Sequence, residues 1–456
     1  MNLTEKVFAA STFIFAFLSC SKSEADAKQA DQKPNIIYIL ADDMGIHDAG
    51  CYGQQQIKTP FIDKMAEEGM RFTQHYAGST VCAPSRCTLM TGLHTGHAYI
   101  KGNFAMKSEG NLPIPSETVT VAEILKSNGY TTGIFGKWGL GGPDDNGHPN
   151  LQGFDYSLCY LDQRLAHEYY PDHLWRNFEK VSLNNQYSHD LFTNGALKFV
   201  RENKNKPFFL YIPYTIPHGK YQVPDNSEYA DQSWSETNKN YAAMISRMDA
   251  DIGKLFTLLD SLNLDENTVV FFTSDNGATG EPGHFFHSND PFRGYKTDLY
   301  EGGIREPLVV RWPGKIAAGS VSSHVSAFWD FLPTVCDLIG VQPPSNTDGI
   351  SFLPALLNQS QKEHEFMYWE YFNYNYNWKP GATFPRNYLL NQAVRMGDWK
   401  AVRNNLNKNP DAQVELYNLA DDISEQHNVA EENPDVVQKI MTILEREHKD
   451  TEFFKK

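Results

Sequence analysis

The sequence predicts an α/β protein with a largely parallel sheet, followed by a smaller C-terminal α+β unit with an antiparallel sheet. Three observations carry this prediction. Apolar runs at 35–40, 208–212 and 269–273 each suit one buried strand, and each leads into polar residues. Helical patterns at 119–127 and 241–262 lie between such runs, which is the alternation of a parallel sheet. Beyond residue 360 the pattern changes to short aromatic or β-branched runs at 366–371, 392–395, 399–403 and 414–417, closed by a helical stretch at 435–448. The expected division is a main domain over 34–360 and a subdomain over 361–456.

The first strand ends in Asp42-Asp43, the second leads to His218, and the third ends in Asp275-Asn276. Open α/β sheets take ligands at the carboxyl ends of their strands, so these residues are expected at one edge. Either strand-end pair alone, Asp42-Asp43 or Asp275-Asn276, would read as an Asx turn. Converging, Asp42, Asp43 and Asp275 repel one another unless a cation neutralises them, and an all-oxygen set with Asn276 suits calcium or magnesium rather than zinc.

The stretch from Cys82 to Gly92 predicts a helix, with Pro84 in its first turn and Gly92 as its stop. Cys82 then lies at the positive helix end with Arg86 one turn on, an arrangement expected to favour a thiolate. Of the 6 cysteines, Cys51, Cys87, Cys159 and Cys336 show no Cys-X-X-Cys spacing, so neither a zinc site nor a disulfide framework is expected.

At 456 residues and 41% hydrophobic composition the chain can bury a large core. Its net charge of -16 argues against a nucleic-acid partner, and any anion site must be local. Lys6 precedes an apolar run over 7–18, too short to span a bilayer, so residues 1–20 read as a signal peptide. Ser19-Cys20 resembles a bacterial lipobox, which implies export to the periplasm or cell envelope with a lipid anchor on Cys20. Residues 21–33 read as a flexible tether.

Cys82-Ala83-Pro84-Ser85-Arg86 resembles the Cys-X-Pro-X-Arg signature of the type I sulfatases, whose cysteine a maturation enzyme oxidises to formylglycine. The resemblance continues through Asp42-Asp43, Gly136-Lys137-Trp138, Pro217-His218, Ser274-Asp275-Asn276-Gly277, Lys296 and Glu301-Gly302-Gly303, in family order. It implies an alkaline-phosphatase-like fold and an arylsulfatase-like sulfuric ester hydrolase. It further implies one calcium ion held by Asp42, Asp43, Asp275, Asn276 and the modified Cys82. In the implied mechanism, metal and Arg86 polarise one hydroxyl of the hydrated formylglycine to attack sulfur. The second hydroxyl then expels sulfate. Lys137, His218 and Lys296 hold sulfate oxygens, and His218 is the candidate acid for the leaving alcohol.

One departure stands out: the family's usual histidine after Gly-Lys-Trp is Gly139 here, with His284, His287, His94 and His97 as candidate replacements. The loop over 160–171, with Arg164 and His167, is of the polar, aromatic kind that contacts sugars. Sulfated carbohydrates are the expected substrates, with aryl sulfates as surrogates. Two other readings stand beside this one: a phosphate or phosphonate ester hydrolase of the same fold, and a non-catalytic lipoprotein that binds sulfated glycans.

Overall fold

The computed structural model describes residues 33–105, 109–374 and 388–456. The predicted leader, Cys20 and the tether up to residue 32 lie outside the described residues. Residues Pro34–Lys456 form one compact unit.

Its main sheet contains β1 (Asn35–Ala41), β2 (Met70–Tyr76), β3 (Thr131–Lys137), β4 (Tyr156–Tyr160), β5 (His173–Arg176), β6 (Glu179–Ser182), β7 (Phe208–Pro213), β8 (Thr268–Ser274), β9 (Arg305–Arg311), β10 (Ser320–Ser322) and β11 (Ser326–Ala327). The order is β10-β2-β9-β8-β1-β7-β3-β4-β5-β6, with β11 also paired to β2. The centre is parallel, and antiparallel pairs enter where β9 joins β2 and β8 and where β5 and β6 form an edge hairpin. The expected class therefore holds.

The three apolar runs are the central strands, and strand alternation explains why no polar residue interrupts them. Ile36, Tyr38 and Leu40 pack on one face with Phe209 and Phe271, while Ile37, Ile39 and Ala41 pack on the other with Leu210 and Phe272. Both faces are covered, so every side chain of β1 is buried. The parallel register pairs Leu40 with both Pro213 and Thr273, which brings the three carboxyl ends to one level.

The helix expected over 119–127 runs Val121–Ser127, because Thr120 caps it: the Thr120 side chain accepts from Glu123 N–H and the Glu123 carboxylate accepts from Thr120 N–H. The helix expected over 241–262 starts earlier, as Glu236–Ser261, with Ser235 as its cap.

The second sheet is antiparallel, in the order β12 (Met367–Tyr374), β13 (Tyr388–Met396), β14 (Trp399–Arg403) and β15 (Glu415–Asn418). The helix Pro434–Arg446 lays Ile440, Ile443 and Leu444 against Tyr368, Val394, Ala401 and Leu416 of this sheet. On the opposite side, Trp369, Val402 and Tyr417 pack with Tyr76, Ile304 and Trp329. Among the described residues, no helix is long and apolar enough to cross a membrane.

Candidate active site

The aligned strand ends deliver the predicted acidic residues together. Asp42 leaves β1, and Asp43 takes a left-handed backbone (φ 64°), breaking strand alternation so that neighbouring carboxylates reach the same site. Asp275 follows β8, and its Oδ1 accepts the N–H of Asp43 at 3.2 Å. Asn276 donates from Nδ2 to Asp43 Oδ1 at 2.8 Å, while its own Oδ1 is buried without a partner.

The signature helix spans Cys82–Thr91 and is buried along its whole length, with Cys82 in its first turn. Asn103 reaches across to accept the orphan N–H of Ala83 at 3.0 Å. Arg86 donates from Nε and Nη2 to Asp275 Oδ2 at 3.1 and 2.7 Å, and from Nη1 to the Lys137 carbonyl at 2.8 Å. Its guanidinium is thereby committed to fixing β3 against the acidic cluster.

Lys137 ends β3, which approaches β7 so closely that a Cβ on Gly136 would lie 1.9 Å from the Pro213 oxygen. Its ammonium donates to Asp42 Oδ2 at 2.6 Å. Lys296 sits on a loop that Asn289 ties to Ala278 and Gly294, and donates to both Asp43 oxygens at 2.6 and 2.8 Å and to His218 Nε2 at 3.1 Å. The Sγ of Cys82 lies 3.4 Å from Asp42 Oδ1 and 3.6 Å from Lys296 Nζ.

Three carboxylates and three cations thus share a buried site, an expensive arrangement that hydrophobic packing would replace if stability were its purpose. Burial alone would raise the Asp42 carboxyl, but Lys137 and its cationic neighbours hold it well below the usual range. Asp275, by contrast, is pushed up to about 6, first by burial and then by the neighbouring Asp42. Ligand atoms of Asp42, Asp43, Cys82 and His218 all lie within 4.8 Å of one another. The carboxylate oxygens and the orphan Asn276 Oδ1 form a hard donor set that fits a divalent cation.

The expected thiolate is corrected. Burial and then Asp42 push the Cys82 thiol up to about 12, and Lys137 and Lys296 do not offset them. The helix end cannot win against a carboxylate in direct contact, so the thiol stays protonated and donates to Asp42. Such a thiol is a poor nucleophile at neutral pH. Burial also lowers His218 to about 3 and His167 to about 4, leaving both rings neutral, stacked 4.3 Å apart.

A cavity of about 380 Å³ opens over this cluster. Asp43, Cys82, Lys137, His218 and Lys296 line it, joined by Gln163, Arg164 and His167 from the loop after β4. Asp42, Arg86, Asp275 and Asn276 lie buried behind that lining. Phe104 and the β12 residues Tyr371 and Tyr374 complete an aromatic wall that no motif signalled.

The candidate replacements for the missing histidine lie elsewhere. His284 stacks on Tyr295, and His287 is an exposed partner of Asp290. His94 and His97 face Asp348 and Glu447. None of these four lines the cavity.

The Sulfatase family model matches residues 34–341. The chain belongs to the sulfatase family. A second family model, N-sulphoglucosamine sulphohydrolase, C-terminal, matches residues 294–452. The N-acetylgalactosamine-6-O-sulfatase of Bacteroides thetaiotaomicron is 31% identical, over 93% of this chain and 95% of that protein. The mouse N-acetylgalactosamine-6-sulfatase is 34% identical over 75% of this chain and 70% of its own length. The crystal structure of Ps i-CgsB in complex with k-i-k-neocarrahexaose superposes with a TM-score of 0.79 at 29% identity, covering 93% of this chain and 95% of that one. The chain is accordingly a sulfuric ester hydrolase of alkaline-phosphatase-like fold, in a family known for formylglycine and a bound metal.

Proposed function

We propose that this sulfatase hydrolyses sulfate esters of carbohydrates, with formylglycine made from Cys82 as nucleophile and one calcium ion as cofactor. The observation that carries the reading is the position of Cys82: its sulfur touches Asp42 and Lys296 at the cavity lining, where the acidic cluster and the lysines meet. The carbohydrate class is supported by the sugar-sulfate names of the relatives and by a lining that combines polar groups with aromatic rings.

Asp42, Asp43, Asp275 and Asn276 would hold calcium together with residue 82. The ion would supply positive charge to sulfate oxygens, and formylglycine at position 82 would supply a hydrated aldehyde as the nucleophile toward sulfur. Lys137 and Lys296 present ammonium groups where negative charge grows. Arg86 acts by holding Asp275 and the Lys137 backbone in place. Neutral His218 accepts from the Lys296 ammonium, which orients its ring, and it is the candidate acid whose own N–H proton goes to the more basic alkoxide of the leaving sugar. Arg164 and His167 contact the sugar.

A catalytic domain over 34–360, a subdomain over 361–456 and export with a lipid anchor on Cys20 complete the proposal, on the composition and motifs of the sequence. Its test is an intact-mass measurement at Cys82 in protein produced with a maturation enzyme, paired with sulfate release. Converted protein should turn over, and a folded Cys82→Ala variant should not. Turnover retained in that variant contradicts the assignment.

A further inference from the structure

Gln163 is 8% exposed, lines the cavity beside Cys82 and Lys137, and has an amide nitrogen without any acceptor. Its position is prearranged. Asp162 accepts from the backbone N–H and side chain of Arg164 on one side and from Gly110 N–H on the other, so the loop carrying Gln163 is pinned at both flanks. The amide packs on Gly139: a Cβ at that position would stand 2.7 Å from Gln163 Nε2, and Gly139 has a φ of +78°. Any side chain at 139 would be strained by that φ and would crowd the Gln163 amide, so glycine there leaves room for the glutamine.

A buried NH₂ group with no acceptor is costly, because desolvation removes water and nothing replaces it. The two ends of a glutamine amide have nearly the same shape. Turning the amide about its last bond exchanges its oxygen and nitrogen, which can present the unpartnered N–H donors to the cavity that Gln163 lines. The cavity is where an oxyanion sits between Lys137 and Lys296 under the sulfatase reading given above, on which this inference rests.

We propose that Gln163 is a substrate-contact residue whose amide donates to a sulfate oxygen. It is a neutral donor that neither titrates nor moves a proton, so it orients the sulfate while Lys137 and Lys296 supply charge. Gln163 and Gly139 thus work as a pair.

Two variants and two readouts test this. Inorganic sulfate titrated by calorimetry into the protein measures the contact without turnover, and kcat/KM on a sulfated hexosamine measures it during turnover. Gln163→Ala should weaken both by about 10–100-fold with thermal unfolding little changed. Gln163→Glu keeps the shape but turns a donor into an anion, and should weaken both at least as much. Sulfate affinity and kcat/KM within twofold of wild type in both variants would overturn the proposal. So would a pattern in which Gln163→Ala unfolds early while Gln163→Glu behaves as wild type, since that is packing alone. If converted wild type releases no sulfate, the sulfatase reading fails, and the calorimetric comparison still decides whether Gln163 binds the anion.

Discussion

The ammonium of Lys296 lies 3.6 Å from the sulfur of Cys82, across 214 residues of sequence, and donates at the same time to both oxygens of Asp43. One cation thereby joins the nucleophile position to the acidic cluster. Lys296→Ala should lower kcat/KM about 10²–10³-fold for every sulfate ester, because preorganised charge at an oxyanion is lost. Initial rates on a sulfated sugar and on a small aryl sulfate check this, and a loss confined to one substrate contradicts it.

Metal removal should be equally general. Chelation should abolish turnover, and calcium should restore it better than zinc, because Asp42, Asp43, Asp275 and Asn276 offer only oxygen. Calcium should also raise the unfolding temperature of chelated protein by mass action. Asp275→Ala should not be rescued by excess calcium, since a carboxylate missing from a divalent site leaves the other ligands mismatched. Full activity in that variant contradicts the cluster as described.

The motif residue Glu301 accepts from Lys400 of β14 at 2.9 Å, with both side chains 0% exposed. This pair joins the main sheet unit to the second sheet. Lys400→Met strips Glu301 of a buried counter-charge and should cost about 3–5 kcal/mol in urea unfolding. A cost under about 1 kcal/mol would mean that Arg305, also paired to Glu301, suffices alone.

Glu447, just past the last helix, is held down to about 2, first by its hydrogen bond with His94. A carboxyl depressed in the folded state contributes stability above its unfolded value of about 4.3 and loses it as pH falls through the folded value. Glu447→Gln should therefore lower the unfolding temperature at pH 7, and the gap from wild type should shrink as pH drops below about 4. A gap that is constant with pH contradicts a Glu447 carboxyl held down by the fold.

What was legible in the sequence follows from how parallel strands are built. β1, β7 and β8 are buried on both faces, so they read as unbroken apolar runs, and the polar residues at their ends had to emerge at one edge. The contacts that refine the site are tertiary and leave no local pattern. Nothing in the spacing of Cys82 says that Asp42 will touch its sulfur and keep the thiol protonated. Tyr371 and Tyr374 look like core residues of a strand, yet they line the cavity. His94 and His97 lie close to the signature in sequence but are drawn to Asp348 and Glu447. Gln163 could have been found only by asking what fills the space above Gly139.

The most direct test of the central claim compares sulfate released from a set of sulfated monosaccharides with phosphate released from the matching sugar phosphates, using calcium-loaded protein fully converted at Cys82. The account predicts far faster release of sulfate, because a monoanion sets less charge beside Asp42 and Asp43 than a phosphate dianion does. Faster release of phosphate, or release of neither, would contradict it.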